Sequence, residues 1–265
     1  MAQEAGGSFG LGVGSLWRRE VIRFVRQRSR VVGALGTPIV LWFVIGSGLG
    51  RSFRPAGADA SVHYLEYAFP GTVVLILLFT AIFSTISIIE DRQAGFLQSV
   101  LVAPVGRTAM VLGKILGSTT LAIAQAGLFL LAAPLAGIPL TIGSALCTMS
   151  VLILLGVGLS GLGFIIAWSL DSTQGFHAIM NLFLIPMWLL SGAFFPASGA
   201  SRWLTWVMTV NPLTYAVSAL RHTLYWGQGR AAESGPSLPT SIGITIGFAV
   251  VMVALATRSA ERRRC

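Results

Sequence analysis

Charge is what this sequence has least of. Only 10% of its 265 residues are Asp, Glu, Lys or Arg, and only 9 are acidic. A water-facing domain carries about 25% charged residues, because its surface must be wetted. With 54% hydrophobic residues and a mean hydropathy of +0.79, most of the exterior must face lipid. Cysteine is equally scarce. Cys147 lies in an apolar run and Cys265 is the last residue, so no framework of bridges can form. Neither has a neighbouring Cys or His at ligand spacing, so nothing supports a cysteine-based metal site. His63, His177 and His222 are scattered and make no visible catalytic cluster. The apolar stretches hold almost no ionisable residue beyond Lys114, which argues against an intramembrane enzyme, and no filter signature points to a channel. No G-x-x-x-x-G-K-[ST] run occurs, so the chain supplies no P-loop of its own.

Basic residues are the exception, with 18 Lys+Arg and a formal charge of +9. They cluster beside apolar stretches, as expected for the excess of cations on the cytoplasmic side of a membrane and not for nucleic-acid binding. Residues 1–14 are Gly-rich and polar, expected to be flexible and not a cleavable signal. Residues 15–30 read as an amphipathic interfacial helix. Arg19, Arg23, Arg26 and Arg30 fall on one face, toward anionic headgroups, and Leu16, Trp17, Val21, Phe24 and Val25 gather on another.

A helix needs about 20 apolar residues to cross a bilayer. Six stretches qualify: Val31–Gly50, Phe69–Ile89, Thr108–Ala133, Ile142–Trp168, Gly175–Phe195 and Ser241–Thr257. Trp203–Leu220 is apolar enough for a seventh, but Asn211-Pro212 interrupts it, and a proline and its predecessor both leave helical geometry. A pair of short half-helices that dip in and return is expected there. With six spans, the arginines of the first thirty residues share a side with Arg92, Arg107, Lys114, Arg258, Arg262, Arg263 and Arg264. The other side keeps Arg51, Arg54, Arg202, Arg221 and Arg230, an asymmetry that puts both termini in the cytoplasm. Trp203, Trp206, Tyr215, Tyr225 and Trp226 crowd the last outer region as interfacial anchors. The expected fold is thus an all-α integral membrane protein with six transmembrane helices, an N-terminal amphipathic interfacial helix, and an outer re-entrant helical hairpin between spans 5 and 6. Residues 31–257 form the six-span domain and 258–265 a basic cytoplasmic tail.

Gly156, Gly158 and Gly161 spell G-x-G-x-x-G, but inside an uncharged run from Leu140 to Leu170. Dinucleotide binding needs a strand before it and an acid after it; close helix packing through small residues explains it here. Ser84, Thr85, Thr119, Thr120 and Gln125 are read the same way, as hydrogen bonds between spans.

The charged island at 90–107 stands between two spans. Glu90 and Asp91 end the second, Gln93–Val102 can form a short helix, and Pro104 stops it. Phe96, Leu97, Val100 and Leu101 share one face, suited equally to a groove on a soluble partner or to a lipid surface.

The series Glu90-x-Arg92-x-x-Gly95, Ala103-Pro104-Val105 and Leu112-Gly113-Lys114 resembles the cytoplasmic loop of ABC-2 type transporter permeases. Ser191–Pro196 and Asn211-Pro212-Leu213-Thr214-Tyr215, followed by Leu220-Arg221, resemble that family's fifth span and re-entrant outer region (residues 200–226). The nearest branch includes daunorubicin-resistance and nodulation-factor exporters. The resemblance implies a non-catalytic permease that dimerises and pairs with two copies of a separate ATPase subunit. ATP and Mg would sit on that partner, and no cofactor on this chain. It also implies that Gln93–Val102 is a coupling helix capped and oriented by Glu90 and Arg92, with residues 15–30 as a second contact and Asp171 as a minor one. Asn211, Pro212, Tyr215 and Arg221 would form the outer gate. The implied activity is export of an amphipathic or lipid-linked molecule across a bacterial cytoplasmic membrane, by alternating access or lateral extrusion. A polysaccharide or lipo-oligosaccharide cargo is the alternative.

Overall fold

The computed structural model describes residues 2–49, 64–97, 100, 106–194, 201–226 and 235–262. Its elements are helices throughout, with no strand among the described residues. Six of them are long and apolar enough to cross a membrane. In chain order the helices are α1 (Ala2–Arg26), α2 (Arg28–Leu49), α3 (Tyr64–Ser84), α4 (Ile86–Gln93) and α5 (Arg107–Leu130). Then follow α6 (Ile142–Ser169), α7 (Thr173–Trp188, continued by a π-turn at Leu189–Ala193), α8 (Arg202–Val210), α9 (Pro212–Leu224) and α10 (Leu238–Arg262). The spans are α2, α3 with α4, α5, α6, α7 and α10.

The second span is the centre of the bundle. Its apolar window is 89% buried, against 12% in α2 and 17% in α10. Side chains such as Phe43, Val44, Val250 and Val251 therefore stay exposed on the outer helices, which is the expected lining toward lipid, whose tails are as apolar as they are. Helix ends follow local chemistry. The Thr141 hydroxyl accepts from the Ser144 backbone N–H and starts α6, and Ser172 does the same for Gly175 at α7.

Glycines set the closest approaches. A Cβ at Gly158 would come 2.6 Å from the Phe248 ring, and one at Gly161 would come 3.0 Å from Met252. These positions let α6 lie against α10, so the G-x-G-x-x-G run is a packing surface, as its surroundings implied. Between spans, Thr80 donates to Gln125 at 2.7 Å and Thr119 to Ser160 at 3.1 Å.

Three expectations are corrected. The stretch read as a flexible N-terminus is helical from Ala2, and α1 breaks at Gln27, so Arg30 belongs to α2. Glycine lowers helix propensity in this stretch, but the helix continues N-terminally from a segment docked on α5, and tertiary contact overrides propensity. The tail is likewise an extension of α10, helical to Arg262. Tyr225 is no interfacial anchor: it is 3% exposed and donates to the Glu66 carbonyl at 2.8 Å. Trp203, Trp206 and Trp226 do remain exposed.

Candidate functional site

α1 reaches the bundle through two glycines on one face of α5. A Cβ at Gly113 would meet the Leu16 Cβ at 2.8 Å, and one at Gly117 would meet the Glu20 Cβ at 2.7 Å. Their absence lets α1 settle close enough to carry Glu20 into the interior, where it is 4% exposed. A buried carboxylate is costly unless paired, and here it is paired. The Lys114 ammonium donates to Glu20 Oε1 at 2.6 Å, to Ser87 Oγ at 3.2 Å and to Asp91 Oδ2. Ser87 in turn donates to Glu20 Oε2 at 2.6 Å.

Arginines of α1 complete the cluster from its rim. Arg19 makes a two-pronged pair with Asp91, at 2.8 and 2.6 Å. Arg23 bridges Asp91 at 2.7 Å and Glu90 at 2.6 Å. Hydrogen bonding to Asp91 is the main influence that holds the Arg19 guanidinium above its ordinary pKa, against burial, which lowers it. The arrangement joins α1, α4 and α5 in one balanced set of charges. Arg19 and Arg23 therefore face acids of the same chain, whereas Arg26 is exposed. The side chain of Arg30 lies outside the described residues.

The loop after α4 is fastened by its flanking arginines. Arg92 donates to Asp171 Oδ1 at 2.6 Å, to the Leu170 carbonyl at 3.1 Å and to the Trp168 carbonyl at 2.8 Å. It thus satisfies the C-terminal carbonyls of α6, which have no partner inside the helix. Gln93 adds a bond to the Asp171 carbonyl at 2.9 Å. At the other end of the loop, Arg107 donates to the carbonyls of Ala260 and Glu261, at 3.2 and 3.0 Å, near the end of α10.

Among the described residues, Glu90 pairs with Arg23 of α1 and Arg92 holds the α6–α7 connection. Gly95 has φ of 72° and turns the chain. Leu97 is 4% exposed and joins the hydrophobic core, with Phe96 and Val100 packed against it. Arg19 lies 3.6 Å from the Phe96 ring centroid. Leu97 is thus turned inward, while Gln93 and Ala94 are exposed. Leu101 and Pro104 lie outside the described residues.

At the opposite end, Leu189–Ala193 leaves helical geometry, with Gly192 at φ of 78°. Arg221 and Tyr67 both donate to the Gly192 carbonyl, at 2.8 and 3.2 Å, and Arg221 lies 4.3 Å from the Tyr67 ring centroid. Asn211 accepts from the Leu213 N–H to start α9 and donates to the Met187 carbonyl at 2.6 Å. Pro212 occupies the first position of that helix, where its missing N–H costs nothing. Tyr215 donates to the Thr209 carbonyl at 2.8 Å, joining α8 to α9.

A family profile described as ABC-2 type transporter matches residues 12–225, the interval that contains the charge cluster, the fastened loop and the broken outer region. The chain belongs to the ABC-2 type transporter family. The similarity extends to whole proteins. Nodulation protein J of Rhizobium meliloti (strain 1021) is 26% identical over 257 residues, 94% of this chain and 92% of that protein. Nodulation protein J of Rhizobium leguminosarum bv. viciae is 24% identical over 258 residues, 96% and 95% of the two chains. A ycf38 chain of Cyanophora paradoxa, named as a transport permease, is 24% identical over 208 residues, 78% and 71%. This ABC-2 family chain is accordingly a membrane protein of the transport-permease kind.

Glu20, Asp91 and Lys114 are the site residues that sequence reasoning missed as a group. One signal was present: Lys114 stands about two turns inside an apolar span, and an ionisable residue there needs a partner.

Proposed function

We propose that this chain is the permease subunit of an ATP-binding cassette exporter. It would move an amphipathic or lipid-linked molecule outward across a bacterial cytoplasmic membrane, with both termini in the cytoplasm and α1 at the inner membrane interface. Energy would come from two copies of a separate ATPase subunit, which carry ATP and Mg, and a second permease copy would complete the pathway. The outer segments α8 and α9 would form a re-entrant gate.

One observation supports this reading above the rest. Both ends of the loop between spans 2 and 3 are fastened to other helices, by Arg92 to the end of α6 and by Arg107 to the end of α10. Glu90 and Asp91 fasten it to α1 as well. A force applied to the loop is therefore passed to spans 2, 3, 4 and 6 together. Such a force does work only if the partner binds the loop differently in its two nucleotide states, because equal affinity shifts no equilibrium.

The test is co-purification of the tagged chain in mild detergent, followed by reconstitution and ATP-dependent transport. Capture of a soluble P-loop ATPase, with Arg92→Ala and Arg107→Ala retaining it but losing transport, is the expected result. Full transport by both variants, or ATP-independent transport by the chain alone, overturns the reading.

A further inference from the structure

Where α1 lies along α5, the two helices leave a furrow of about 420 Å³ between them. Phe9, Gly10, Gly14 and Trp17 supply its α1 side, and Leu112, Leu116 and Thr120, at successive i+4 positions, its α5 side. From Phe9 to Trp17 it follows a little over two turns of helix, about 12 Å at 1.5 Å per residue. The glycines on its two sides differ. The space beside Gly113 and Gly117 of α5 is taken by Leu16 and Glu20, whereas a Cβ at Gly10 or Gly14 of α1 would meet nothing within 4 Å. Glycine weakens a helix relative to alanine, and at these two positions no protein neighbour takes up the room. The two polar side chains of the lining are already engaged. The Trp17 indole donates to the Thr120 hydroxyl at 3.0 Å, and that hydroxyl donates to the Leu116 carbonyl at 2.8 Å. Among the described residues no charged side chain lines the furrow.

We infer that the furrow holds one acyl chain of an anionic phospholipid, with the headgroup at Arg18. An elongated apolar trough whose side-chain donors are engaged fits an alkyl chain; a polar ligand would leave its own groups unpaired there. Hydrophobic transfer does not draw the chain in, since bilayer tails are as apolar as the furrow. An unfilled trough would instead forfeit dispersion contact along both walls. Selectivity comes from the headgroup. Arg19 and Arg23 are held by Asp91 and Glu90, but Arg18 is exposed and makes no ion pair among the described residues. It stands one turn beyond Gly14, and helical side chains lean back over the preceding turn, which directs its guanidinium toward the furrow. Arginine matches a phosphate with two parallel hydrogen bonds. Leu11, Ile22 and Val25 are exposed alongside Arg18, the apolar face by which an interfacial helix enters lipid. The site needs α1 at a membrane surface, as in the exporter reading, but neither transport nor an ATPase.

The test uses the full chain in phosphatidylcholine nanodiscs doped with phosphatidylglycerol that carries a diazirine on one acyl chain, followed by photolysis and peptide mapping. Adducts should concentrate in residues 9–17 and 112–120, above the yield on the other lipid-facing helices. Unlabelled phosphatidylglycerol should compete better than added phosphatidylcholine. Gly10→Leu combined with Gly14→Leu should fill the furrow and bring its yield down to that of the other helices. Arg18→Gln should cut the preference for phosphatidylglycerol by about fivefold, the worth of one cation near an anionic membrane. Gly247→Leu, on α10 and also with nothing within 4 Å of its Cβ, should label as the unaltered chain does and so controls for the added leucine. Equal yield along all lipid-facing helices overturns the inference, as does undiminished labelling in the double leucine variant. Competition by phosphatidylcholine or by dodecanoate as effective as that by phosphatidylglycerol overturns it too. Absence of adducts from both segments also overturns it, since a protein helix would then cover the furrow. The expected labelling in a chain that captures no ATPase would leave the lipid site standing and remove the exporter reading.

Discussion

The ammonium of Lys114 lies 2.6 Å from a carboxylate oxygen of Glu20, although the two residues are 94 positions apart. Lys114 is 3% exposed and Glu20 4%, so neither can exchange its partner for water. The pair, with Asp91 also bound to the ammonium, joins an amphipathic helix to two spans through charge, beside the apolar contact of Leu16. Removing Lys114 leaves the buried Glu20 with Arg19, at 3.5 Å, as its nearest cation among the described residues, while Asp91 keeps Arg19 and Arg23.

Lys114→Met is accordingly expected to destabilise the chain by about 3–5 kcal/mol, measured as a loss of thermal stability in detergent. Glu20→Gln on its own should also destabilise, and the double variant should lose less than the sum of the two. Additive losses would show that the residues are not coupled.

Gly113→Leu should lift α1 from α5, since a Cβ already meets Leu16 at 2.8 Å. Limited proteolysis in nanodiscs reads this as faster cleavage within α1 while the spans stay protected. Cleavage at the unaltered rate would mean that α1 accommodates the side chain by sliding.

Leu97→Asp is expected to destabilise by well over about 2 kcal/mol, because it puts a carboxylate among core side chains. Ala94→Asp, at an exposed position three residues earlier, should stay within about 0.5 kcal/mol of the unaltered chain. Melting curves of the two variants decide the matter. Equal stability would turn Leu97 outward and restore the apolar ridge that its spacing implied.

Much of the fold was legible in the sequence for simple reasons. A span is recognisable from length and hydropathy alone, and all six matched. The break at Asn211-Pro212 followed from the geometry of proline, and α8 and α9 meet there. The charge cluster was not legible, because its members come from three separate stretches and no local pattern brings Glu20 to Lys114. The direction of Leu97 was hidden for a related reason: periodicity reveals that a segment has an apolar face, but not which neighbour that face meets. The contact of Arg92 with the end of α6 was hidden likewise, since nothing nearby in sequence points there.

Gly192→Ala should cost about 1–2 kcal/mol, the penalty of a side chain at positive φ, where Gly192 holds 78°. Melting in detergent measures it. An unchanged melting temperature would show that the turn adjusts without strain.

The cluster around Lys114 also bears on the order of biogenesis. Glu20 and Asp91 leave the ribosome before Lys114 does, so the second helical hairpin is unfinished when both carboxylates need a counter-ion. During that interval Arg19 and Arg23 are the cations that the contacts place beside Asp91. Closure of the cluster must await the third span, which makes arrival of Lys114 the step that commits the nascent N-terminal helix to its seat.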